Sequence, residues 1–475
     1  MMRTWKIYGR RSHSEFFYIL FLVLIDIKSL FLYIFKSYNK RTRMKRKGKR
    51  LVSTGVALSC IAVTALHATN GDTMISVGTK ARGMGGAGIA VSHCAESTLH
   101  NPSLITCTKG TSISFGGIVF MPDISARMGM AAEHESDADL NVIPSISISH
   151  RLNDEWYLGI GMWGTAGMGV DYRDAPQVPG MDSGNMHMVT NLQLMQFGIS
   201  AAYKANGLSL ALTPILQYGS LDINYQGFDG SSTGDGVAQD LNFGVNVGAS
   251  YDFSNGLTLG AVYKSKIDMD YGNQLSNATR PFADMGIFPA AMGDHLEQPA
   301  EIGFGIGYQL ENHTFAVDYK KIEWSDAEGY KEFGWSDQDV LAFGYQYTRT
   351  NWALRLGYNH ASHPIDEMPS APTNPVTPAE YPYAGGNAVN LFNLLGFPAT
   401  AKRHFTLGGT YAFTEVFALD LAYVHAPKTT TTMQTIVGYS DNSTPGDPGD
   451  DTLYIGESSV NHTENSLSFQ LTYTF

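Results

Sequence analysis

The feature that most constrains this chain is a strict alternation of apolar and small or polar residues, repeated over most of its length. Leu241, Phe243, Val245, Val247, Ala249, Tyr251 and Phe253 alternate with Asn242, Gly244, Asn246, Gly248, Ser250 and Asp252. A period of two puts every apolar side chain on one face of an extended strand. After a Ser254-Asn255-Gly256 turn the pattern resumes through Leu257, Leu259, Ala261, Tyr263, Ile267, Met269 and Tyr271. It returns over 302–310, 341–347, 352–358, 405–413, 417–423 and 467–475, with weaker runs near 110–122, 142–152, 155–168, 188–204, 207–220 and 313–324. That makes fourteen runs.

The connections alternate too. Short ones fall near 153–154, 205–206, 254–255, 312, 350 and 414. Long ones fall near 123–141, 169–187, 221–238, 271–297, 325–337, 363–402 and 431–463. This is the layout of an up-and-down meander of hairpins. A soluble sandwich would expose a charged face on each strand. A transmembrane barrel turns the apolar face to lipid and gathers aromatic residues at its rims. The even strand number, the aromatics at strand ends (Tyr251, Phe253, Tyr271, Tyr423, Tyr473) and the alternating run to Phe475 favour the barrel. Charged residues are only 16% and glycines number 50, which argues against both disorder and a helix-rich enzyme. The expected fold is an all-β, fourteen-stranded antiparallel transmembrane barrel.

The formal charge of −12 is an average of two unlike parts. Residues 1–68 hold 14 Lys and Arg against Glu15 and Asp26, and the remainder is strongly acidic. Such a body is a poor partner for nucleic acid. Met44 to Arg50 is basic and Leu51 to Leu66 apolar, the form of a secretory signal peptide over 44–68. The apolar stretch is shorter than the ~20 residues of a membrane-spanning helix. Residues 1–43 are read as an artefact of start-site choice, with an N-terminal anchor as the alternative. Residues 69–109 do not alternate and precede the barrel (110–475). Their apolar residues favour folding into the lumen as a hatch, because fourteen strands enclose more space than wall side chains fill.

Here the chain resembles a known family. The run Gly83-Met84-Gly85-Gly86-Ala87-Gly88, its spacing to Asn101-Pro102-Ser103, and the barrel that follows are similar to the FadL-type outer-membrane transporters. Arg355-Leu356-Gly357-Tyr358-Asn359, His404-Phe405-Thr406-Leu407-Gly408 and Val317-Asp318-Tyr319-Lys320 with Trp324-Ser325 share the resemblance. It implies a barrel plugged by a hatch carrying an Asn-Pro-Ala motif, for which this chain has Asn101, Pro102 and Ser103. It implies passive uptake of long-chain fatty acids, or of aromatic hydrocarbons as in some relatives. It also implies sideways release through a kink in the third strand, here 155–168, with Gly161, Gly164 and Gly167 as gate candidates. Relatives often carry a Pro there and this chain does not. The other reading is that these glycines only relieve crowding by the hatch.

Apolar residues in two outer loops, Phe282, Met285, Ile287, Phe288 and Met292 in one and Leu391 and Phe392 in the other, are candidates for an exposed capture groove. The alternative is loop-on-loop packing over the barrel mouth. A fatty-acid carboxylate needs a cation, and alternation points Lys264, Lys266, Lys320 and Arg355 to the lumen. Acids such as Asp268, Asp270 and Asp318 are their competing partners. Cys94 and Cys107 form either a disulfide across Asn101 or two free thiols. His93 and His100 match no ordinary zinc spacing, and no cofactor or metal is expected. The glycine fingerprints at 83–88 and 159–164 do not open helices after strands, so dinucleotide binding is rejected. A lipid hydrolase lacks a nucleophile elbow, and a general porin lacks a reason for a hatch. Expected partners are hydrophobic small molecules, outer-membrane lipid and lipopolysaccharide, and the barrel-assembly machinery, around a monomer in a Gram-negative outer membrane.

Overall fold

In a computed structural model, the structure describes residues 69–176, 184–288, 290–441 and 451–475. The leader over 44–68 and the segment 1–43 lie outside the described residues. Fourteen long strands close into one antiparallel barrel. They are β1 (Thr111–Arg127), β2 (Asn141–Arg151), β3 (Trp156–Asp171), β4 (Val189–Ala205) and β5 (Leu208–Gln226). Next come β6 (Ala238–Asp252), β7 (Leu257–Lys264), β8 (Glu301–Leu310), β9 (His313–Ile322) and β10 (Gln338–Thr348). β11 (Trp352–Ala361), β12 (Arg403–Ala412), β13 (Phe417–Ser440) and β14 (Thr452–Thr474) complete the wall. β14 pairs with β1 from Ser459↔Arg127 to Thr474↔Ser112, so no free edge is left at the seam of closure.

Alternation explains the wall. On β12 Phe405 and Leu407 are exposed, whereas His404, Thr406 and Gly408 point inward and are buried. Aromatic pairs ring the short-turn end: Trp156–Tyr203, Tyr251–Phe253, Tyr347–Trp352 and Tyr411–Phe413 have centroids 4.7–5.7 Å apart. Among the described residues no helix is long and apolar enough to cross a membrane; the strands do the crossing.

Two expectations need correction. The run 257–271 is not one strand: β7 stops at Lys264, and Ile267, Met269 and Tyr271 bury into an apolar cluster that joins the outer loops to lumen-facing wall residues such as Leu194 and Leu221. Period two persists there because the odd positions meet protein core instead of lipid, so Tyr271 is not a rim residue. Conversely, most of 431–463 is strand, with β13 and β14 running on as a paired hairpin beyond their neighbours. That extension carries Thr429 to Thr432 and little apolar alternation. Both of its faces meet protein or water, so only β propensity marks it.

Candidate functional site

The lumen is filled by residues 69–109, and the contacts are specific. Asn101 begins the 3₁₀ segment Pro102–Cys107, and its Oδ1 accepts from the Ser103 backbone N–H at 3.1 Å and hydroxyl at 2.7 Å. Its Nδ2 donates to the carbonyls of Ile89 (2.7 Å) and of Ala249 in β6 (3.1 Å). Ser103 Oγ also lies 3.0 Å from Ser250 Oγ, whose hydroxyl can donate to it. Such close docking requires small residues in the wall. A Cβ on Gly248 would lie 2.1 Å from Asn101 Oδ1, and one on Gly357 2.0 Å from the Gly85 nitrogen. Asp318 Oδ2 accepts the Gly88 and Ile89 N–H groups at 2.7 and 2.8 Å. Cys94 and Cys107 are bonded, with Cα atoms 5.6 Å apart, and close the two 3₁₀ segments Cys94–Leu99 and Pro102–Cys107 into one loop.

The N-terminal end of the hatch is a small hairpin, Thr69–Asn70 with Thr73–Met74, turning through Gly71 and Asp72. Gly71 has φ +68°, and a Cβ there would lie 2.5 Å from the Trp324 ring. Asp72 Oδ2 accepts the Tyr330 hydroxyl from an outer loop. Burial drives the Asp72 carboxyl up to about 6, against the opposing pull of that hydrogen bond.

This hairpin sits in a break in the barrel wall. β2 pairs with β1 up to Asn141↔Phe120, but with β3 only up to Ser145↔Trp163. Asn141 to Pro144 therefore has no β3 partner, and Pro144 has no N–H to donate. On the far side β3 bulges between Gly164 and Ala166, then takes the hatch as its neighbour. Thr73 pairs with Ala166, and the Gly167 N–H donates to the Asp72 carbonyl at 3.0 Å. Met74 closes the break from inside against Ile118, Phe120 and Ile143. Of the three gate glycines, Gly164 and Gly167 flank the bulge. Gly161 lies below it in regular pairing with Ser147, crowded by Leu99 and Trp163.

Behind the break lies a cavity of about 60 Å³ lined by Thr73, Ser76, His100, Trp163, Thr165 and Gln298 and by the charged trio Lys264, Glu301 and Lys320. Lys264 and Lys320 share one carboxylate, with Nζ atoms 3.0 and 3.8 Å from Glu301. Thr165 Oγ1 and Gln298 Oε1 are buried without a protein hydrogen-bond partner.

The family described as "Outer membrane protein transport protein (OMPP1/FadL/TodX)" matches residues 58–386. The chain belongs to this family. A 47 kDa outer membrane protein of Pasteurella multocida is 23% identical over 423 residues, 80% of this chain and 92% of the relative. A long-chain fatty acid transport protein of Escherichia coli O6:H1 is 24% identical over 402 residues, 71% and 83% of the two chains. The solved structure of a Pseudomonas aeruginosa FadL homologue shares 15% identity, covers 85% of this chain and all of its own, and has a TM-score of 0.61. The Pseudomonas putida toluene transporter TodX shares 16% over 84% and 99%, with a TM-score of 0.58.

As a FadL-family barrel the protein resides in the Gram-negative outer membrane, with the short turns toward the periplasm and the long loops outside. In that frame the expected site residues separate. Lys264 and Lys320 reach the lumen cavity. Lys266 does not: it lies past the end of β7, partly exposed, and pairs with Glu297 at 3.2 Å and Asp326 at 2.7 Å in the outer loops. Arg355 is lumenal and buried, but it pairs with Asp420 at 3.6 Å and hydrogen-bonds Gln346 at 2.6 Å beneath Gly83.

The expected exposed capture patches are instead one buried cluster, because the two loops fold onto each other. Helix α1 (Leu275–Asp284) brings Phe282 to within 5.4 Å of Phe392, which follows helix α2 (Gly385–Leu391), and Tyr225 contacts both rings. Ile287 and Leu391 are buried with them, and Phe288 and Met292 are half-buried. Sequence reasoning missed Asp72, Glu301, Gln298 and Tyr330. Each is a single polar residue in a loop, hatch or strand end, and only its partner from a distant segment reveals its place.

Proposed function

We propose that this protein is a passive channel for long-chain fatty acids, which cross the outer membrane through the plugged lumen and leave sideways at the β2–β3 break. The observation that carries this reading is the cavity behind the break. Two lysines flank the one lining carboxylate there, beside the unpartnered Thr165 hydroxyl, so a second carboxylate would find cationic and hydroxyl donors in the pocket. An aromatic hydrocarbon would use none of it. The apolar cluster over the mouth supplies the first greasy contact when Phe288 and Met292, its half-buried members, part from the rest. Burial of an acyl chain there and in the lumen contributes ~25 cal/mol per Å². Displacement of Met74 from Ile118, Phe120 and Ile143 then opens the break to the membrane.

The test is uptake of labelled oleate and labelled toluene by cells lacking their own transporter and supplied with this one. Oleate uptake is expected, reduced at least about ten-fold by Lys264→Ala with Lys320→Ala, about what one charged hydrogen bond is worth. Arg355→Ala leaves the ratio of oleate to toluene unchanged. Restored toluene uptake alone would assign the channel to aromatic hydrocarbons, and uptake of neither would end the transport reading.

A further inference from the structure

The wall has a second weak place, on the outer half of β6. β6 pairs with β5 along its whole length, from Ala238↔Leu221 to Tyr251↔Leu208. With β7 it pairs only from Asn246↔Lys264 downward. By contrast β8 and β9 pair from end to end. Beside the unpaired stretch of β6 runs the irregular segment 265–270, and the links across are mostly made by side chains. One backbone bond remains, from the Ser265 N–H to the Val245 carbonyl at 2.9 Å. The Val245 N–H turns to Ser265 Oγ (3.0 Å), Asn242 Nδ2 donates to the Asp268 carbonyl (2.7 Å), and the Asp270 N–H donates to Asp240 Oδ2 (3.0 Å). The Phe243 N–H is taken by the side chain of its own neighbour Asn242 at 2.8 Å. Ile267 closes the gap by lying over Gly244, where a Cβ would meet it at 2.6 Å.

This seam faces lipid. Leu241 and Phe243 point outward from it, and Phe243 is 71% exposed. Phe243 lies eight residues along β6 from the rim residue Tyr251. At ~3.3 Å per residue and a tilt of ~40° that is about 20 Å of height, inside an apolar band of about 25 Å and in its outer leaflet. Directly behind the seam, Asn246, Ser265 and Lys264 line the lysine cavity. The segment is also tied to the hatch, since Ile267 exchanges backbone hydrogen bonds with Gln298, whose Nε2 reaches Thr73 Oγ1 at 3.3 Å. The charges along it are graded. Asp240, Asp268 with His295, Asp270, and Lys266 paired to Glu297 and Asp326 lie at the loop end, and Lys264 lies at the cavity end.

We propose that the seam between β6 and residues 265–270 is a side port from the outer leaflet, distinct from the β2–β3 break. It admits single-chain amphiphiles with a compact anionic head, which moves away from the acids at the loop end toward Lys264 and Lys320 while the tail stays against Leu241 and Phe243. One backbone bond and three side-chain bonds have to part, and the Phe243 N–H keeps its Asn242 partner on the same strand, so opening costs less here than at a full ladder. The proposal rests on the lumen being a ligand path, and its test separates the two ideas.

The full-length protein with Val245→Cys and Ser265→Cys is placed in phospholipid vesicles, its folding checked by resistance to unfolding on a gel. A palmitate carrying a photoreactive diazirine is supplied either dissolved in the vesicle membrane or from water on albumin. Labelled residues are then mapped with the new cysteine pair oxidised and reduced. Membrane-supplied probe is expected to label Trp163 and Ser76 at least ten-fold less when the pair is oxidised, with albumin-supplied labelling unchanged. Asn242→Ala, which loosens the seam without a cross-link, raises membrane-supplied labelling several-fold. Equal lumen labelling from the membrane in the oxidised and reduced states, or no response to Asn242→Ala, would overturn the port and leave the channel standing. Absence of lumen labelling from both sources would overturn both.

Discussion

The two halves of the hatch are held in different ways. The half from Gly88 to Cys107 is anchored redundantly, by the Cys94–Cys107 bond, by Asn101 on wall carbonyls and by Asp318 on two N–H groups. The hairpin from Thr69 to Met74 is held by a bridge and one backbone bond to β3, by Met74 against three apolar wall residues, by one carboxylate–phenol bond to Tyr330 and by one amide contact to Gln298, with no covalent cross-link. Local opening follows the weakest set of contacts. The difference teaches that a plug can stay in place while one end of it yields, and the end that yields lies at the break in the wall.

Four measurements would break or sharpen this contrast. Replacing Cys94 and Cys107 by Ala frees a loop of fourteen residues and lowers the stability of the anchored half by about 3 kcal/mol. Hydrogen exchange should show the loss over 94–107, and equal loss over 69–74 would contradict independent anchoring. Asn101→Ala removes a cap and its wall contacts, about 2 kcal/mol, read as faster proteolysis within 88–107. Gly71→Ala forces a side chain into the left-handed region and against Trp324, about 1–2 kcal/mol, and loosens the hairpin alone.

The smallest effect is a pH dependence. The Asp72 carboxyl is raised when the hairpin is docked, so the docked state holds its proton longer than the free hairpin does. The docking stability this confers is complete below the ordinary carboxylate value and is lost as pH rises through about 6. Protection over 69–74, taken relative to the intrinsic exchange rate at each pH, should therefore be greater at pH 5 than at pH 7. Tyr330→Phe removes a bond that favours the charged carboxylate, so the transition should move to higher pH. A hairpin indifferent to pH would show that Asp72 is not what holds it.

Strand number, strand direction and which end carries the long loops were legible because lipid imposes one rule on every outward position. Gly248 and Gly357 were countable but not interpretable: the reason for each is a hatch backbone atom about 2 Å from where a Cβ would stand. Alternation misled where the apolar face met something other than lipid, as at Ile267, Met269 and Tyr271. Phe282 and Phe392 read as greasy loop residues in sequence and became core only when α1 and the turn after α2 met.

By itself, then, the sequence determined a fourteen-stranded outer-membrane barrel with a hatch, since a period of two and the even set of hairpins are local properties that a bilayer reads one residue at a time. Only the tertiary structure decided where the wall is broken, which lysines reach the lumen, and that Asp72 and Tyr330 meet. Those depend on register and on contacts between residues far apart in the chain, and a one-residue change in where β7 ends or β3 bulges moves each of them from one face of the wall to the other.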